Sequence, residues 1–286
     1  MVSMNRLTIE DRTRVVASLV EGNSIRATVR MTGVAKNTVA KLLVDLGAVC
    51  SDYQDRVMQD LPCSRIECDE IWSFCYSKDR NVPKEKRGEF GYGDVWTWVA
   101  IDAETKLVPS FHIGSRDAED AFALMRDLAK RLRYRVQLTT DGHKSYLAAV
   151  RGAFRDEIDY AQLVKTYGPE PAGSHRYSPQ VCTSIGTKKV SGDPDPKLIS
   201  TSYIERQNLT MRMSMRRFTR LTNAFSKKVE NLAAAVSLHF AYYNFCRVHK
   251  TLGTTPAVAA GVADHVWTLT ELVGLLEAAE RSQHSN

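Results

Sequence analysis

Residues 66–76 read Ile-Glu-Cys-Asp-Glu-Ile-Trp-Ser-Phe-Cys-Tyr, and the reading of this stretch decides the fold. Its Ile, Trp, Phe and Tyr side chains are those of a strand set in an interior, yet three acids interrupt it. Two further runs, 94–101 and 107–113, are rich in Val, Ile, Trp and Phe, and Asp102-Ala-Glu-Thr-Lys106 joins them like a hairpin turn. Three such strands in succession predict an antiparallel meander. Residues 117–133 then place Ala121, Phe122, Leu124, Met125, Leu128 and Leu132 on one helical side, and 136–140 read as a buried strand.

The order strand, strand, strand, helix, strand is that of an RNase H-like core, a mixed sheet covered by helices. Beyond it the patterns predict a helix over 143–154, a strand over 158–166, and helices over 202–218, 227–245 and 269–279. Residues 168–200, rich in Pro, Gly, Ser and Lys, read as a long loop. The 78–93 insertion is dense in Lys and Arg; it reads as a solvated loop, with a hairpin touching DNA as the alternative.

Ahead of the core, helices are expected over 9–21, 24–31 and about 37–46. Val16, Leu19 and Val20 recur at helical spacing in the first, and Val39, Leu42, Leu43 and Leu46 in the third. Between the second and third lies Thr32-Gly-Val-Ala35, a tight glycine turn, so the segment has the helix-turn-helix arrangement whose second helix enters a major groove. Lys36, Asn37, Thr38 and Lys41 would then meet DNA; a three-helix bundle that binds nothing is the alternative. The fold class expected is therefore α/β, an RNase H-like catalytic core preceded by an all-α helix-turn-helix module. The domains expected are 1–50 for that module, 51–64 as a linker, 65–250 for the core and 251–286 as a helical tail.

Lys and Arg number 39 against 33 Asp and Glu, a formal net charge of +6. The excess suits an anionic partner such as nucleic acid without requiring one. No run approaches the roughly 18 uninterrupted apolar residues of a membrane span, and the first dozen residues lack the apolar core of a signal peptide, so a soluble, cytoplasmic protein with no membrane partner is expected. Six scattered cysteines read as free thiols in such a compartment. Zinc binding by Cys50, Cys63, Cys68 and Cys75 fits poorly, because no Cys-x-x-Cys pair occurs and no His is near.

Three acids can meet in this fold. Asp69 lies mid-strand, Asp141 ends the fourth strand ahead of Gly142, and Glu205 opens a helix able to cross the sheet. Hard cations such as Mg²⁺ take oxygen ligands and few protein carboxylates, leaving room for phosphate. Taken singly, each acid also fits a structural role: a surface strand position, a turn former, and a helix N-terminal acid favoured by the dipole. Glu70 competes with Asp69, since neighbouring strand residues face opposite sides. On the helix of Glu205, Asn208, Leu209, Arg212 and Arg216 share its face, while Ile204, Met211, Met215 and Phe218 form a separate apolar stripe. Arg212 and Arg216 are thus candidates to grip phosphates, with Arg206, Arg217, Arg220, Lys227 and Lys228 widening the basic surface; a solvated basic face is the alternative.

At these residues the chain resembles the DDE transposases of bacterial insertion sequences, most closely the insertion sequence 1 type. The matching words are Asp69-Glu-Ile-Trp-Ser-Phe74, Thr140-Asp-Gly-His-Lys-Ser-Tyr146 and Tyr203-Ile-Glu-Arg-Gln-Asn-Leu209, followed by Arg212, Arg216-Arg217, Arg220 and Phe225-Ser-Lys-Lys-Val-Glu230. Residues 242–250 with Thr254-Thr-Pro256 look more like the ends of other insertion-sequence transposases and integrases. The resemblance covers roughly 66–250. It implies Asp69, rather than Glu70, with Asp141 and Glu205 as a catalytic triad holding two Mg²⁺ or Mn²⁺ ions. It further implies cleavage and joining of DNA, with transposon terminal inverted repeats and target DNA as partners and a homo-oligomer in the DNA complex. A nuclease that cuts without joining, or a DNA-binding regulator without catalysis, are the rival functions.

Overall fold

The computed structural model describes residues 7–168, 182–219 and 223–284. It begins with three helices, α1 (Ile9–Val20), α2 (Ile25–Thr32) and α3 (Lys36–Val57). Thr8 and Ser24 cap the first two through their hydroxyls. Gly33, at φ 74°, ends α2 in the left-handed region, which glycine enters without the Cβ clash that penalises other residues. The third helix does not stop near Leu46. It runs on to Val57, so the first seven residues of the expected 51–64 linker are helical and the expected boundary at residue 50 falls inside a continuous rod. Polar residues there hid the continuation: Gln54 is buried and donates to the carbonyls of Cys50 (3.1 Å) and Ser237 (3.2 Å).

The sheet follows. β1 (Arg65–Cys75) pairs antiparallel with β2 (Gly93–Asp102), and β2 antiparallel with β3 (Ser110–Gly114), which is the expected meander. After α4 (Ala118–Arg131), β4 (Val136–Asp141) returns beside β1 in parallel. Then α5 (Ser145–Phe154) leads to β5 (Ile158–Tyr167), parallel to β4. A sixth strand, β6 (Cys182–Ser191), pairs antiparallel with β5 inside the expected loop. Residues 182–190 of that strand are all exposed, so no apolar alternation marked it. The order β3-β2-β1-β4-β5-β6, with helices on both faces, is the RNase H-like arrangement. The 78–93 insertion contains two short 3-10 turns, Asp79–Asn81 and Lys84–Lys86, and no strand pair among the described residues.

The closing elements are α6 (Ser202–Ser214), α7 (Val229–Ala241), α8 (Pro256–Ala259) and α9 (Leu269–His284). α6 ends four residues earlier than expected, and Arg216–Phe218 form a separate 3-10 turn after an extended Met215. Two clusters fill the two faces of the sheet. Ile66, Cys68, Trp98 and Ala100 pack with α4 and α5, whereas Ile71, Cys75, Val95 and Val99 pack with α6, α7 and also α1, α3 and α9. The N-terminal helices thus share the core of the sheet. Gly47 of α3 makes this possible: a Cβ there would lie 2.3 Å from the Ala234 carbonyl oxygen of α7, so the two backbones touch only without one. Arg12 of α1 pairs with Glu280 of α9 at 3.1 Å on the same side. Cys50 and Cys75 lie in this cluster and Cys63 and Cys68 in the other, so the cysteines weighed as a zinc set are divided by the sheet. No helix among the described residues is long and apolar enough to cross a membrane.

Candidate active site

β1 is buried on both faces, and its parallel ladder with β4 pairs Cys68 with Thr140. The next residue on each strand, Asp69 and Asp141, therefore stand level at the seam. Carboxylate oxygens of Asp69, Glu70 and Asp141 all lie within 4.8 Å of one another. Three acids at that spacing repel, and burial, followed by the charges of Glu70 and Asp141, pushes the Asp69 carboxyl up to about 7. The donor set is all oxygen, the kind that hard divalent cations take, and a cation there would relieve the repulsion. The residues present fit such an ion.

The partners of each acid separate their roles. Asp69 accepts the Glu70 backbone N–H on Oδ1 (2.9 Å) and the Asn208 amide of α6 on Oδ2 (2.9 Å). Asp141 accepts the His143 N–H at 2.9 Å, which tightens the turn after β4. Glu70 points to the other face, where Arg116 Nε donates to Oε1 (2.7 Å) and the buried Tyr146 hydroxyl to Oε2 (3.2 Å). Burial and Asp141 raise its pKa while Arg116 opposes them. Both oxygens of Glu70 are already engaged, which favours a supporting part.

Glu205 is not within the 4.8 Å group. It projects from the first turn of α6, its side chain 45% exposed, with Oε1 taken by Lys165 of β5 and by the Thr201 hydroxyl (2.6 Å). Its charge nevertheless contributes to raising Asp69. Asn208, one turn along on the same face, ties that face to Asp69.

A residue that sequence reasoning passed over fixes this helix. Glu67 of β1 is wholly buried, two residues before Asp69 on the same strand face, and its Oε2 accepts the backbone N–H groups of Tyr203 (2.8 Å) and Ile204 (3.0 Å). These are orphan donors at the start of α6, where a carboxylate also meets the positive end of the helix dipole. Burial still raises the Glu67 pKa, against the pull of those two N–H groups. The available signal was period two: a carboxylate on the face of Asp69, inside an apolar strand, needs donors from whatever covers it.

Lys36, Asn37, Thr38 and Lys41 are exposed at the start of α3, where Lys41 pairs with Asp45 at 2.5 Å. Arg206 is exposed and Arg212 half-buried on α6. Arg216 leaves the face of Glu205, because the helix ends before it. Arg217 is half-buried, donating from Nε to the Ser226 hydroxyl (2.8 Å). Lys227 and Lys228 are exposed, and Arg220 lies outside the described residues.

No family model and no curated protein matches the chain. Among solved structures it is similar to a piggyBac transposase synaptic complex with hairpin DNA, at 10% identity over 96% of this chain and 72% of that one, TM-score 0.44. It is also similar to the Mos1 strand transfer complex, at 12% identity over 97% and 79%, TM-score 0.34. A pre-cleavage Mos1 transpososome aligns at 11% identity over 99% and 81%, TM-score 0.32.

Proposed function

We propose that the chain is a DDE-type DNA transposase of the insertion sequence 1 kind, with Asp69, Asp141 and Glu205 as its metal-binding acids. The observation that carries this is the level standing of Asp69 and Asp141 on adjacent parallel strands. Glu67 and Asn208 tie α6, the helix that carries Glu205, to the same strand, which supports adding Glu205. Two Mg²⁺ or Mn²⁺ ions bound there would supply activation of an attacking hydroxyl and stabilisation of the leaving oxygen during in-line displacement at phosphorus. The chain supplies the frame. Asp69 and Asp141 hold their places on rigid strands, Glu70 with Arg116 and Tyr146 stiffens the seam from behind, and Arg206 and Arg212 beside Glu205 draw phosphates to it.

In this reading α2 and α3 form a helix-turn-helix that recognises the terminal inverted repeats, and Lys36, Asn37, Thr38 and Lys41 meet the DNA. A homo-oligomer brings two ends and target DNA together. The test is cleavage and joining of labelled element-end DNA in Mg²⁺ or Mn²⁺ by wild type, Asp69→Asn, Asp141→Asn and Glu205→Gln. All three variants should bind the end and leave it intact. Full activity in any variant removes that residue, and activity in excess chelator overturns the metal reading. Cutting without joining would favour a nuclease.

A further inference from the structure

A cavity of about 790 Å³ lies between the N-terminal helices, α7 and the segment after α6, and none of the seam acids lines it. Five cations line it, Arg26, Lys36, Arg216, Arg217 and Lys227, and among the described residues no carboxylate does. They come from two parts of the chain, α2 and α3 on one side and Arg216, Arg217 and Lys227 on the other. No ion pair engages any of the five among the described residues. Arg217 is the clearest case: it is half-buried, its Nε donates to one hydroxyl, and burial lowers its pKa. A guanidinium partly withdrawn from water with no carboxylate beside it is stabilised when an anion joins it.

The rest of the wall is apolar. Ile25, Leu43 and Leu238 line it together with Phe225, a half-buried ring that leans on Phe74 at 4.9 Å between centroids, and Phe74 leans on Trp72 at 5.7 Å. His239 completes it, buried, with neither ring nitrogen partnered among the described residues. An inorganic anion would use the cations and leave the apolar wall idle. Paired duplex DNA would do the same, since it shows phosphates and groove edges while its base faces stay stacked. An unstacked base with its phosphate uses both, and the volume suits a ligand of that size.

We propose that this cavity is a binding site for one nucleotide, its base unstacked against Phe225 and the apolar wall and its phosphate among the five cations. The inference rests on the DNA-processing reading above for the source of that nucleotide, an unpaired position in a DNA strand rather than a free mononucleotide. The test uses the full chain without metal and three probes: a short duplex with one unpaired 2-aminopurine at a 3′ overhang, its fully paired counterpart, and free 2-aminopurine deoxyribonucleoside monophosphate. Wild type should bind the unpaired duplex about tenfold more tightly than the paired one, the scale of one base-aromatic stack. Phe225→Leu, which keeps an apolar wall without a ring, and Asn231→Trp, which adds a bulky side chain to the lining from α7, should each lose that preference and bind paired duplex as wild type does.

Free nucleotide bound with the same dependence on Phe225 would support the site and assign it to the mononucleotide. Equal binding of paired and unpaired duplex with no uptake of free nucleotide overturns it, as does a preference that survives in both variants. Cleavage by the acid variants is measured separately, so loss of the triad reading and loss of this site are distinct results.

Discussion

The β1–β4 seam and helix α6 hold their acids in opposite ways. At the seam, Asp69 and Asp141 are fixed by strand register and crowd each other, and among the described residues no ion pair engages either of them. On α6, Glu205 is half exposed, and its charge is matched by Lys165 of a neighbouring strand. The first arrangement stores repulsion that an incoming cation relieves; the second must release a partner first. Buried like charges are expensive and exposed pairs are weak, so substitutions should separate the two regions by the size of their effects.

The largest effect is expected at the acids themselves. Asp69→Asn, Asp141→Asn or Glu205→Gln should each lower cleavage by about 10³-fold or more, since several kcal/mol of charge stabilisation converts to that ratio. Single-turnover assays on end DNA check this, and a much milder loss for Glu205→Gln would confine the essential pair to the seam.

Next comes the pH response of Asp69. Its folded pKa, about 7, lies above the ordinary value of 3.8. Its contribution to stability is therefore fully present below about pH 4 and lost as pH rises through 7. Metal-free Asp69→Asn should gain on wild type across that window, by on the order of 2 to 4 kcal/mol at pH 8. Added Mg²⁺ should stabilise wild type and shrink the gap. Denaturant melts at pH 4 and pH 8 test the sign, and a gain confined to pH 4 would refute it.

Glu67 couples the two regions. Glu67→Ala leaves the buried Ile204 N–H and the part-buried Tyr203 N–H without their acceptor, which should cost about 1 to 3 kcal/mol. Glu67→Gln keeps an acceptor and should recover most of that stability. The readout specific to positioning is the Mn²⁺ concentration for half-maximal cleavage, which should rise in Glu67→Ala and return toward wild type in Glu67→Gln.

The smallest effect is expected at Lys165. Lys165→Met should change stability by less than about 1 kcal/mol, as for other exposed pairs, while lowering the metal concentration needed for cleavage about two- to fivefold. A higher metal requirement would mean that the lysine helps to hold the site open.

What could be read from the residues alone follows from how much of each element is apolar. β1, β2 and β4 are rich in interior residues, and from them the strands of the core were legible, whereas the choice of Asp69 over Glu70 came only from the family resemblance. The far end of α3 was not, because Gln54 is polar yet buried, satisfied by a carbonyl of α7 that sequence does not bring near. β6 was missed because its exposed Thr, Ser and Lys residues show no periodicity and only its partner β5 defines it. Arg216 was placed on the face of Glu205 by extending a helix that ends at Ser214. Glu67 looked like one more acid in a row of three, since its donors lie on a helix some 136 residues later in the chain.

The unbroken α3 has a metrical consequence. Its 22 residues, at about 1.5 Å each, span roughly 33 Å from the exposed Lys36 to the end beyond Gln54, which is bonded to α7, and Gly47 welds it to α7 on the way. If its first turn reads DNA, the helix acts as a calliper whose jaws are the recognised bases and the phosphodiester at the seam. Adding one base pair between those two points should then displace the cut along the element by one position rather than be absorbed by a yielding joint.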